Sequence, residues 1–169
     1  MEPEAVLAAV SRLLAETTAM TLATCRDGLP WAATVYFAPD GYDLVFLSSP
    51  GSRHGRDLAA HPACCAAVSP ETASWRDIRG LQIEGRAAVV SGRLTTARAM
   101  AAYFVKFPFV RELLADPGQA AKRLGQVAVH VLRPTTIRLL DNSHGFGSRF
   151  LLRLKDGRPV GPPEPEKAS

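Results

Sequence analysis

Val6, Val10, Leu13 and Leu14 recur at the spacing of one helix face. Pro3 suits a helix start because it needs no N–H partner there, and Glu2 and Glu4 suit the positive end of the dipole. The spacing predicts an amphipathic helix ending near Glu16. From Thr18 the period drops to two: Met20, Leu22 and Thr24 alternate with Thr21, Ala23 and Cys25, and Arg26-Asp27-Gly28 supplies a turn. A second strand follows from Trp31 to Phe37, and Asp40-Gly41 turns it into a third, Asp43 to Ser48. Ser52 is placed to cap a short helix that runs to His61 and stops at Pro62.

Ala63 to Val68 reads as a small-residue strand, and Asp77 to Val90 as the longest β-like stretch, with faces that change at its glycines as in a bulged strand. Thr95 or Thr96 is the expected cap of the next helix, where Met100, Tyr103, Phe104 and Phe107 recur until Pro108. A short helical turn then carries Phe109, Leu113 and Leu114. Val127, Val129 and Val131 alternate, Arg133-Pro134 is expected to break the run, and Thr136 to Leu140 resumes it before a last strand at Phe150 to Leu154. This order predicts a mainly β protein, an antiparallel barrel of six or seven strands with an N-terminal helix and a helical insert packed outside. One domain over residues 1–154 is expected, then a flexible tail over 155–169 with four prolines and no apolar periodicity.

The 169 residues, 47% hydrophobic and 21% charged, suit one such domain. A net charge of +4 leans basic, but the arginines are interleaved with acids instead of clustered, which argues against a nucleic-acid partner. No apolar run is long enough for a membrane span, and no secretion signal is recognisable. Three cysteines without a C-x-x-C spacing read as reduced thiols in a cytoplasmic protein. His54, His61, His130 and His144 are too dispersed for a metal signature, so no metal is expected.

Ser48 to Pro62 is the stretch richest in chemistry. It gathers hydroxyls, a guanidinium and an imidazole at a glycine-containing turn that opens a helix, where backbone N–H groups, Arg53 and the helix dipole would meet a phosphate. Composition allows a plainer reading too, with Ser52 as a cap and Arg53, His54 and Arg56 as a solvated face.

Ser52-Arg53-His54-Gly55, then Asp57-Leu58 and His61-Pro62, resembles the Ser-Arg-Lys-Gly, Glu-Leu, Asn-Pro pattern of the pyridoxamine-5′-phosphate oxidase superfamily, the FMN-binding split barrels. Downstream, Trp75 and Arg79-Gly80-Leu81-Gln82-Ile83-Glu84-Gly85 are similar to that family's Trp and Arg-Gln-Val-Arg-Ile-Glu-Gly strand. Asp141-Asn142-Ser143-His144-Gly145-Phe146-Gly147 resembles a small bacterial branch of the same barrels.

The resemblance implies a split β-barrel homodimer with FMN between the subunits. Arg53 then matches an FMN-phosphate arginine, Leu47 and Ser48 the pair that meets the phosphate arm, and Thr34, Val35 and Tyr36 the segment along the isoalloxazine ring. Ser52 joins the anion turn, and His54 stands where the oxidase has a phosphate-binding lysine. Gly80 replaces a ring-contacting glutamine that Gln82 can substitute, and Asn142 is expected near a flavin held mainly by the partner subunit. Phe107 replaces the arginine that holds the oxidase's substrate phosphate, which argues against pyridoxamine-phosphate oxidation itself.

The implied function is an FMN-dependent oxidoreductase acting on an unknown small substrate. A non-catalytic flavin-binding or sensing module and a haem-binding or haem-processing barrel are the alternatives, with deazaflavin or haem as alternative cofactors. Tyr36 and His144 are the candidate proton-handling groups, and His144 is also the candidate iron ligand. No catalytic residue is otherwise assigned.

Overall fold

The computed structural model describes residues 1–113 and 125–166. Helix α1, Pro3–Glu16, opens with proline in its first turn and buries Val6, Val10, Leu13 and Leu14, the face its spacing predicts. Strands β1 (Ala19–Arg26), β2 (Leu29–Asp40) and β3 (Asp43–Ser48) form the expected meander. Helix α2 (Arg53–Ala60) leads to β4 (Ala63–Val68) and then β5 (Arg79–Val89). Helices α3 (Arg93–Lys106) and α4 (Phe109–Leu113) form the insert. The long β6 (Ala128–Asp141) is followed by β7 (Arg149–Lys155) and two short strands, β8 (Arg158–Pro159) and β9 (Glu164–Glu166).

The strands run in the order β3-β2-β1-β4-β5-β6, and a further β3–β6 pairing closes these six into a barrel. Strand β6 does two jobs. Ala128 to Leu132 pairs with β3, Thr136 to Leu140 pairs with β7, and β5 lies along both parts. The change of direction falls at a bulge where Glu84 faces Thr136 but Gly85 faces Pro134, leaving Thr135 as the extra residue. Arg133-Pro134 therefore does not break the strand as expected. Proline lacks the N–H that a regular ladder would use, and the bulge is where a ladder can spare it. Gly85 is needed opposite, because a Cβ there would overlap the Arg133 carbonyl oxygen.

Alternate residues of every long strand point inward, including Met20, Leu22, Phe37, Leu44, Phe46, Leu81, Ile83, Leu132, Ile137, Leu139 and Leu152, and α1 adds its apolar face to the same core. A second cluster lies outside the barrel, where Ala99, Tyr103 and Phe107 of α3 pack on Ala38 and Val45 of β2 and β3, with Leu47, Val110, Val129 and Val131 around them. Gly92, at a φ of 90°, is the residue before α3, so Thr95 and Thr96 lie inside the helix and do not cap it. Leu114 lies outside the described residues.

Within the tail expected to be flexible, two segments are instead paired. Asp156 and Gly157, at φ values of 52° and 73°, make a tight turn of the kind that favours hairpins, and β8 folds back on β7. Strand β9 then pairs with β7 again, with Arg153 bound to Glu164 at 2.6 Å and Arg138 to Glu166 at 3.2 Å. No helix among the described residues is long and apolar enough to cross a membrane.

Candidate functional site

The loop between β3 and α2 folds around Ser52. Its Oγ donates to the Ser49 carbonyl at 2.7 Å and accepts from the Gly55 N–H at 3.1 Å, so Ser52 is the N-cap that its position suggests. Gly55 lets the first turn of α2 press onto that loop, because a Cβ there would stand 2.6 Å from the Ser49 carbonyl oxygen. Ser48, only 8% exposed at the end of β3, places its Oγ 2.5 Å from His54 Nε2 and 3.3 Å from Ser52 Oγ. Three of the sequence-selected residues therefore meet in one hydroxyl–imidazole cluster at the start of a helix.

Arg53, between Ser52 and His54 in the chain, places its guanidinium 4.7 Å from the centre of the Trp31 ring. Its Nε is 3.8 Å from Asp57 Oδ2, and Arg26 Nε is 3.6 Å from Oδ1 of the same carboxylate. Asp57 is 1% exposed and also accepts a hydrogen bond from Thr24 Oγ1 at 3.1 Å. This buried carboxylate fixes two arginines at the rim of the barrel. The motif match assigns Asp57 no role, although its i,i+4 spacing from Arg53 is a usable signal.

Burial pushes the His54 imidazole below its ordinary value, and the nearby Asp57 carboxylate works against that shift. His130, on β6 near Ser48, is 1% exposed, stacks on Phe46 with ring centres 4.9 Å apart, and places Nδ1 3.2 Å from the Ala128 carbonyl. Burial pushes it below its ordinary value as well, with His54 contributing in the same direction. Its alternation with valines marked it only as a strand residue.

The remaining candidates are distributed differently. Thr34 and Tyr36 are exposed on the outer face of β2, while Val35 points into the core. Thr34 faces Thr21, Thr21 faces Ala67, and Ala67 faces Gln82, so Gln82 shares a transverse row and an outer face with Thr34. Three strand spacings separate the two ends of that row, about 14 Å. Tyr36 meets the edge of Phe107 at 6.0 Å. The Leu47 side chain joins the α3 cluster and lies on the opposite face of β3 from Ser48.

Asn142 stands apart. Ser48 pairs with Ala128 at one end of β6, whereas Asn142 follows Asp141 at the other. That strand length is roughly 40 Å. Asn142 is 7% exposed, donates to the Trp75 carbonyl at 2.8 Å and accepts from the Gly147 N–H at 3.0 Å, so it ties the Trp75 turn to the glycine-rich loop. Above it, Trp75 and Phe146 form an exposed edge-to-face pair at 6.0 Å. His144 Nδ1 lies 3.0 Å from Ser143 Oγ and 3.7 Å from Asp141 Oδ2.

A closed six-strand antiparallel barrel with a hydroxyl-, arginine- and imidazole-bearing helix start defines the chain as a split-barrel protein. It belongs to the pyridoxamine 5′-phosphate oxidase family, which it matches over residues 6–141. It is 29% identical over 153 residues to the UPF0306 protein of Klebsiella pneumoniae, covering 89% of this chain and 95% of that one. It is 35% identical over 117 residues to the pyridoxine/pyridoxamine 5′-phosphate oxidase of Xanthomonas oryzae, covering 67% of this chain but 55% of the enzyme. Among solved structures, the heme binding protein from Mycobacterium smegmatis superimposes with a TM-score of 0.67 at 25% identity, over 87% of this chain and 57% of that chain.

Proposed function

We propose that the protein binds FMN as a homodimer and acts as a flavin-dependent oxidoreductase on a small substrate. The observation that carries this reading is the cluster of Ser48, Ser52, Arg53 and His54 at the start of α2. The cluster fits a phosphate arm: its loop closes so tightly over the helix start that Gly55 has no room for a Cβ, and the hydroxyls and ring nitrogen gather at the start of the helix whose first residue is Arg53.

FMN, when bound, supplies two-electron chemistry, with hydride passing between a small substrate and flavin N5. The chain supplies position and charge. Arg53, held against Trp31 and Asp57, answers the phosphate, and the exposed face of Thr34, Tyr36 and Gln82 offers polar groups to the ring edge. Asn142 follows the far end of β6 from the cradle, a strand contour of roughly 40 Å, which is accommodated if Asn142, Trp75 and Phe146 approach the cradle of a second chain. Phe107, 4% exposed within the α3 cluster, offers a substrate phosphate no charge, which favours a substrate other than pyridoxamine phosphate.

The test is the visible spectrum of the purified protein with FMN, using Arg53→Ala as control. A flavin spectrum that is retained through gel filtration by the wild type and lost in the variant supports the reading; no retention by either rejects it. Reduction of the bound flavin by a nicotinamide donor, followed by transfer to an acceptor, separates an enzyme from a flavin-binding or sensing module.

Haem binding is the second reading, favoured by one observation. Ser143 and Asp141 engage Nδ1 of His144, which orients Nε2 as a ligand, and Trp75 and Phe146 lie exposed in the adjoining turns. A Soret band with added haem that is lost in His144→Ala supports it, and a spectrum unchanged by that substitution rejects it.

A further inference from the structure

The hydrogens in the Ser48–Ser52–His54 cluster can be counted. Ser52 Oγ has one hydrogen, which goes to the Ser49 carbonyl, while its oxygen accepts from Gly55. Ser48 Oγ lies within reach of both Ser52 Oγ and His54 Nε2. Its single hydrogen therefore has two destinations. When Nε2 carries no proton, Ser48 donates to it; when Nε2 is protonated, it donates to Ser48 Oγ and the Ser48 hydroxyl turns to Ser52 Oγ. Rotation of one hydroxyl thus accommodates the neutral and the cationic imidazole without orphaning a polar atom. Among the described residues His54 Nδ1 has no hydrogen-bond partner, so this nitrogen is free to meet a ligand.

We propose that His54 takes up a proton from solvent when a terminal phosphate seats at the start of α2, which makes the site selective for phosphomonoesters. The proposal rests on the reading of this cluster as a phosphate cradle. A phosphomonoester is mostly dianionic at neutral pH, its second ionisation lying near pH 6, whereas a phosphodiester carries one charge. Arg53 supplies one fixed positive charge, and protonated His54 supplies the second only when the second negative charge is there to hold it. The balance is neutral His54, a phosphate dianion and one proton going to an imidazolium–dianion pair.

The groups that face His54 are consistent with this. Asp57, on the same helix, favours the cation, and burial opposes it. Arg26 from β1 is paired with that Asp57. Ser48 from β3 is uncharged in either state. His130 from β6 is buried and stacked on Phe46, and His54 discourages charge on it. In the absence of an anion, burial keeps His54 neutral, so its charge is available to respond to the ligand.

Calorimetric titration of the full chain at pH 7 in phosphate-free buffers of different ionisation enthalpy measures the protons taken up, with FMN and riboflavin as probes. Proton uptake with FMN and none with riboflavin is expected, together with an FMN affinity that falls by up to about tenfold per unit as pH rises above neutrality. His54→Lys should bind FMN with no uptake and a flatter pH profile, and Ser48→Ala should reduce the uptake. FMN binding without uptake, or the same uptake in His54→Lys, overturns the proposal. Imidazole NMR of the wild type with inorganic phosphate is the second measurement. A His54 midpoint that rises with phosphate while no flavin binds supports the proposal and rejects the flavin reading; a midpoint that does not move overturns the proposal whether or not flavin binds.

Discussion

Arg53 lies with its guanidinium 4.7 Å from the centre of the Trp31 ring, so an aromatic side chain of β2 sets the direction of a cation on α2. Such contacts at exposed sites contribute about 0.5–1 kcal/mol. Trp31→Ala should therefore weaken FMN binding by about two- to fivefold while leaving the thermal midpoint nearly unchanged. Fluorescence titration checks this. An affinity unchanged by the substitution would show that the stack does not orient Arg53 for binding.

Lys106 joins the end of α3 to the end of α1. Its Nζ donates to the Leu14 and Thr17 carbonyls at 2.8 and 2.6 Å and lies 4.0 Å from the centre of the Phe37 ring. Burial pushes its ammonium from the ordinary 10.5 down to about 8. The neutral amine still has two hydrogens for two carbonyls. Because the unfolded chain binds more protons than the folded one between about pH 8 and 10.5, the Lys106 contribution to stability rises with pH across that window. Urea denaturation should show the stability of the wild type rising relative to that of Lys106→Met from about pH 7.5 to 9. A fall of the wild type relative to the variant would reverse the sign of this linkage.

Cys64 faces the core, and burial pushes its thiol up to about 12, with Cys65 adding in the same direction. Cys25 and Cys65 are exposed. At pH 8 a chromogenic disulfide reagent should modify two thiols per folded chain rapidly and the third only after urea is added. Rapid modification of all three in the native protein would mean that Cys64 is not held as described.

Gly85→Ala should be among the most damaging single substitutions outside the cradle. The new methyl group would collide with backbone at the bulge, where no flexible side chain can yield. A loss of more than about 2 kcal/mol in urea denaturation is expected, with Gly51→Ala as a milder comparison. Equal stability of the two variants would show that the bulge relaxes freely.

Much of this architecture was legible because it follows from local periodicity. The Val6-Val10-Leu13-Leu14 face, the alternation in β1 and the Ser52 cap all come from short-range geometry that a sequence displays directly. Pro134 was misleading for a long-range reason: only its partner Gly85, far away in the chain, shows that the missing N–H falls at a bulge. The paired tail is a different matter. Asp156-Gly157 is a local turn signal, but its prolines and charges outweighed it in the reading of residues that lack any apolar repeat. In the site, the residues near Ser52 were found from their sequence proximity and the family resemblance, whereas Thr24, Trp31 and His130 reach the cluster only through strand pairing and barrel closure. Asn142 was expected near a flavin, and its place beyond the far end of β6 from the cradle is visible only once strand pairing is known.

Strand β9 occupies the side of β7 that β6 leaves open. Without it, the backbone of Arg149 to Leu151 would offer a row of unsatisfied groups to any passing strand, the usual starting point for edge-to-edge association. Its ion pairs are partly exposed and contribute little to stability, so strand β9 acts chiefly by covering that edge. A chain cut back to Asp156 would then keep its fold at low concentration yet precipitate as concentration rises, a failure of solubility rather than of stability.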